Sequence, residues 1–151
     1  DEIVWVQGSP LGNLHLGLDN VLRFPNGLQA DGTRFYGTDG GSVYAVNLQP
    51  DGRAGPVEPL HFTVDAHDDL GLVGDDGILV TGFATGVISL LSRSGALVQA
   101  TDPATFSFPS SVRLGRPPMF RPDDILVTET GVLTDNNLPL DHLSLFRRRA
   151  P

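Results

Sequence analysis

Residues 26 to 48 read NGLQADGTRFYGTDGGSVYAVNL and residues 69 to 91 read DLGLVGDDGILVTGFATGVISLL, two copies of one pattern. At an offset of 43, Leu28 lies over Gly71, Ala30 over Val73, Phe35-Tyr36 over Ile78-Leu79, and Thr38 over Thr81. A weaker third copy places Ile125-Leu126-Val127-Thr128 47 residues after Ile78-Leu79-Val80-Thr81. Each unit reads as strand, Asp/Gly turn, strand ending in Thr, short loop, strand, turn, strand. A period of ~40 to 50 with four strands per unit is what a β-propeller blade requires. The alternative is chance similarity among the Gly-rich hairpins of a β-sandwich.

Local chemistry agrees with an all-β chain. The 18 Gly and 12 Pro interrupt nearly every window long enough for a helix, and either residue is unfavourable in a helix interior. Strands are predicted at Ile3 to Val6, Arg34 to Tyr36, Ser42 to Leu48, Ile78 to Thr81, Val87 to Leu91, Ala96 to Ala100 and Ile125 to Thr128. Asp31-Gly32, Asp39-Gly40-Gly41, Asp51-Gly52, Asp76-Gly77 and Ser94-Gly95 punctuate them, supplying the positive φ that tight hairpins need. The 151 residues then hold about three four-stranded blades, approximately 1-48, 49-100 and 101-146, with 147-151 a basic tail. Propellers have ~4 to 8 blades, and three leave open edges. The expectation is half of a propeller, completed by another chain, a second copy or an unseen segment.

Several partners are excluded by composition. With 10 basic against 18 acidic residues the net charge is −8, so no basic stripe exists to displace counterions from a nucleic acid. Every basic residue is Arg, which reads as a coding bias. The absence of Cys rules out disulfides, thiolate nucleophiles and Cys-based zinc sites but leaves the compartment open. No apolar run approaches the ~18 residues of a membrane span, and Asp1 to Val6 does not read as a signal peptide.

The segment Phe24-Pro25-Asn26-Gly27-Leu28, then Ala30-Asp31-Gly32, Phe35-Tyr36 and Thr38-Asp39, resembles the SMP-30/gluconolactonase/LRE-like six-bladed propellers, relatives of paraoxonases and arylesterases. Val43-Tyr44 with Asp51-Gly52 continues the likeness, as do Asp69-Leu70-Gly71-Leu72, Asp76-Gly77 and Ile78-Leu79-Val80. The resemblance implies half of a six-bladed propeller with a divalent cation in its tunnel, usually Ca²⁺, with Mg²⁺, Zn²⁺ or Mn²⁺ as other candidates. In that family a Glu, two Asn and an Asp hold the metal. The resemblance carries one Asn onto Asn26 and the Asp onto Asp69, and the other two ligands lie upstream of the residues present here.

Hard oxygen donors of this kind suit Ca²⁺ or Mg²⁺, which polarise a lactone or ester carbonyl while a carboxylate activates water. Asp69 is the expected base as well as a ligand. His67, within Ala66-His67-Asp68-Asp69, is read either as an exposed loop histidine or as a proton-transfer residue near the metal. Asn26 and Asp69 are expected at equivalent positions of successive blades, where the family's usual Pro-Asp-Gly has become Asp68-Asp69-Leu70. Asp75-Asp76-Gly77 and Asp123-Asp124 read as hairpin turns, and Ser110-Ser111 as structural. Phe106, Phe108, Met119 and Phe120 either line a substrate mouth or cover an outer blade edge. No Gly-x-Ser-x-Gly elbow is present.

The leading functional expectation is a metal-dependent hydrolase of lactones or aryl esters, acting on a small molecule together with a complementary half-propeller. The alternatives are a non-hydrolytic biosynthetic propeller, in the manner of strictosidine synthase, which orients reactants, and a non-catalytic binding propeller.

Overall fold

The computed structural model describes residues 25–75, 77–131 and 142–147, without the side chains of His142 and Phe146. They form eleven strands in three antiparallel sheets. The first sheet holds β1 (Pro25–Asp31), β2 (Arg34–Asp39), β3 (Ser42–Leu48) and β4 (Ala54–Phe62), in that order. The second holds β5 (Leu70–Val73), β6 (Gly77–Gly82), β7 (Val87–Ser92) and β8 (Leu97–Ala100). The third holds β9 (Pro109–Leu114), β10 (Asp124–Glu129) and β11 (His142–Arg147). Each sheet is a meander of neighbours in sequence; the first two are the four-stranded blades that the repeat predicts, and the third has three strands among the described residues. Expected strand Ile3 to Val6 lies outside the described residues.

The sheets stack face to face through two apolar clusters. Tyr36, Val43, Ala45, Leu70, Ile78, Val80 and Leu91 fill the space between the first and second sheets. Leu79, Ile88, Phe106, Val112, Ile125 and Val127 fill that between the second and third. This explains why Ile78-Leu79-Val80 is an unbroken apolar run: alternate side chains of β6 enter opposite clusters, so all three are buried. Among the described residues no helix is long and apolar enough to cross a membrane.

Two details depart from the sequence reading. Arg147, assigned to the basic tail, is the last residue of β11, and its Nε donates to the buried carboxylate of Asp124, the first residue of β10. The guanidinium holds that carboxyl below the usual carboxylate range. Strands β1, β4, β5, β9 and β11 also lie outside the individually predicted segments, although the four-strand unit calls for strands of this kind. Pro56 and Pro59 weaken the signal in β4, and proline is tolerated there because β4 is the outer edge of its sheet.

Candidate functional site

The innermost strands β1, β5 and β9 begin side by side, and a buried threonine on the next strand fixes each starting point in the first two sheets. Thr38 Oγ1 accepts the Gly27 N–H at 2.8 Å, and Thr81 Oγ1 accepts the Asp69 N–H at 2.9 Å. Thr38 and Thr81 are therefore equivalent, and so are Gly27 and Asp69. In the third sheet Ser111 pairs with Thr128 in the same register. One residue earlier come Asn26, Asp68 and Ser110, each 42 positions after the last.

The expected equivalence of Asn26 with Asp69 is thus corrected: Asn26 stands level with Asp68. The cause is a difference in turn length. Asp31 pairs with Arg34 across two turn residues, whereas Val73 pairs with Gly77 across three. The offset of 43 that holds for β2 and β6 becomes 42 once the extra turn residue is passed.

Bonds between these positions run from blade to blade. Asn26 donates through Nδ2 to Asp68 Oδ1, and Ser111 Oγ donates to Asp69 Oδ2 at 2.5 Å. Asn26 is exposed and Asp68 half-buried. Burial raises the Asp68 pKa, opposed by the Asn26 hydrogen bond and helped by the negative charge of Asp69. Gly27 is required at the seam: a Cβ there would lie 2.7 Å from both Cα and Oδ1 of Asp69.

Asp69 itself is occupied. Arg113 Nη1 donates to its Oδ2 at 2.6 Å and Nη2 to its Oδ1 at 3.4 Å, so a guanidinium faces the carboxylate expected to face a metal. His67 is buried, with Nδ1 2.8 Å from the Thr81 carbonyl and Nε2 3.3 Å from Thr63 Oγ1. The carbonyl fixes the proton on Nδ1, and burial lowers the pKa. The loop-histidine expectation of exposure does not hold. His67 ties the segment before β5 to the end of β6. Sequence reasoning passed over Asp68, Ser111 and Arg113 as site residues. Counting back from Thr38 and Thr81, which the repeat had already matched, is the signal that finds Asp68.

An amide oxygen and a carboxylate one blade apart are the donor types that hard cations take. Asn26 and Asp68 fit such an ion as part of its shell of ~6 to 8 oxygens. Among the described residues no three His, Asp or Glu side chains converge as a complete metal cluster. The Phe106 to Phe120 stretch divides in three. Phe106 is core, Met119 is 80% exposed, and Phe108 lines a cavity of about 460 Å³ with Thr85, Gly86, Thr105 and Glu129. Phe108 holds φ +54° there, a left-handed conformation unusual for a bulky residue, with its ring centroid 5.2 Å from that of Phe83.

Three blades packed face to face around adjoining inner strands define a partial β-propeller. Among solved structures, luciferin-regenerating enzyme matches with a TM-score of 0.65 at 18% identity, over 83% of this chain and 45% of that one. Regucalcin from Agrobacterium tumefaciens, described as a calcium-binding protein, matches with a TM-score of 0.61 at 16% identity, over 77% of this chain and 41% of its own. Virginiamycin B lyase from Staphylococcus aureus gives 0.53 at 18%, over 84% and 42%. At such identities the likeness is one of fold, and this chain spans less than half the length of each. No protein-family profile and no curated protein sequence matches it.

Proposed function

We propose that this chain supplies the Asn26–Asp68 part of a cation site in a propeller hydrolase of lactones or aryl esters. The observation that carries the reading is the hydrogen bond from Asn26 to Asp68, made between equivalent positions of successive blades. Calcium-binding regucalcin and two enzymes among the propellers of like fold support it. When bound, Ca²⁺ or another divalent cation (Mg²⁺, Zn²⁺ or Mn²⁺) supplies Lewis-acid polarisation of the substrate carbonyl.

The chain's own residues do the rest. Asn26 donates to Asp68 Oδ1 and so orients the carboxylate, which stands beside the cation as the chain's proton acceptor. Asp68 therefore takes the role of base expected of Asp69. The other blades and donors come from a complementary half, a second chain or a second copy, or from a segment outside this sequence. A particle of roughly twice 16.1 kDa would identify a self-dimer.

The test is hydrolysis of γ-lactones and phenyl acetate by the purified protein with added Ca²⁺, after chelation, and with Asp68→Asn. Loss of the base predicts a fall on the order of 10² or more. Equal activity in Asp68→Asn and wild type would refute the reading. A second reading, non-hydrolytic chemistry by substrate positioning, is favoured by the Phe108 cavity. It predicts turnover of a bound small molecule that survives both chelation and Asp68→Asn.

A further inference from the structure

Asp69 stands where the adjoining blades have Gly27 and Ser111, so a charge has entered a ring of otherwise small residues. That charge is matched. Arg113 Nη1 donates to Asp69 Oδ2 and also to the carbonyls of Leu70 at 2.8 Å and Val112 at 2.7 Å, which fixes the guanidinium against both inner strands. The Arg113 side chain is 43% exposed while that of Asp69 is 11% exposed. The pair is thus anchored from the β9 side and lies directly beside Asp68.

We propose that Asp69 and Arg113 form a fixed, net-neutral pair that sets how tightly the Asn26–Asp68 ledge holds a divalent cation. The inference rests on the cation-site reading above. A cation at the ledge feels the negative charge of Asp69, the residue after Asp68, and the Arg113 guanidinium bonded to it offsets that charge, both inside a Debye length of ~8 to 10 Å. Removing either partner leaves a unit charge uncompensated. The sign of the change then follows which partner was removed.

Four forms of the full-length protein decide this, titrated with Ca²⁺ by calorimetry and with Tb³⁺ by luminescence. Asp69→Asn leaves Arg113 uncompensated and weakens binding on the order of tenfold. Arg113→Gln leaves Asp69 uncompensated and tightens binding by a similar factor. The double variant is neutral again and returns to within about twofold of wild type, because the two unit charges are removed together. Both single-variant shifts shrink as salt is raised.

A double variant as weak as Asp69→Asn overturns the inference, since Asp69 would then be a direct ligand. Binding by wild type with neither single variant shifted also overturns it, and leaves the cation site standing. No cation binding by any form overturns both. If Arg113→Gln fails to fold, Asp69→Asn and the double variant still decide, because neither buries an unpaired carboxylate.

Discussion

Thr81→Val tests how the ledge is built. Thr81 is fully buried, and its hydroxyl accepts the Asp69 N–H at 2.9 Å while lying 3.2 Å from the Asp69 carbonyl as a donor. Valine has nearly the same shape but neither function. The carbonyl keeps the Thr81 N–H at 3.1 Å, so the net damage is one buried donor, the Asp69 N–H. An orphaned buried donor costs about 1 to 3 kcal/mol. At ~2 to 4 °C per kcal/mol for a chain of this size, 2 kcal/mol lowers Tm by about 4 to 8 °C.

Thr81→Ser is the control. It keeps the hydroxyl and loses one buried methyl, about 1 kcal/mol. The assay is urea unfolding at one fixed protein concentration, because any assembly makes stability concentration-dependent. Valine should be the worse variant, with an unchanged m-value. If valine stays within about 0.5 kcal/mol of wild type while serine loses more, the side chain matters for packing and not for the hydrogen bond. The clasp would then be no part of what positions Asp68 and Asp69.

Two further outcomes are expected. Gly27→Ala places a Cβ 2.7 Å from Asp69 Cα and 3.0 Å from the Leu70 nitrogen, so β5 must shift, at about 1 to 3 kcal/mol. Ca²⁺ titration should show weaker binding, and unchanged stability and affinity would refute the seam. The pKa of His67 is lowered by burial. Below its ordinary value near 6.5 the unfolded chain takes up a proton that folded His67 resists. Its contribution to stability is therefore full above that value and is lost as pH falls through the folded value. Tm measured from pH 8 to pH 5 should fall less steeply in His67→Gln than in wild type, and parallel curves would contradict the assignment.

The architecture was legible because β2, β3, β6, β7 and β10 are core strands. Their side chains meet an apolar cluster, so Val43, Ile78 and Val127 leave a hydrophobic imprint. Strand β9 (PSSVRL) is only half apolar because Ser111 and Arg113 serve Asp69, and polar service erases the pattern that identifies a strand. The site was legible to one residue. Asn26 sits in a conspicuous Pro-Asn-Gly, but its partner hides in Asp68-Asp69, where only the register tells one carboxylate from the other. That register depends on a single extra turn residue, which carries no hydrophobic signature. Arg113 was invisible for a different reason: its bond to Asp69 spans 44 residues and two sheets.

The threonine clasps have a consequence for how such a ring can change partners. Gly27 is tied to Thr38 and Asp69 to Thr81, each within its own sheet. The height of Asn26 and Asp68 is therefore settled inside a blade, before any neighbour is added. Each of these two blades behaves as a cartridge carrying its own correctly seated contact. Blades can be exchanged, duplicated or contributed by a separate polypeptide, and the ledge stays level so long as the threonine is kept.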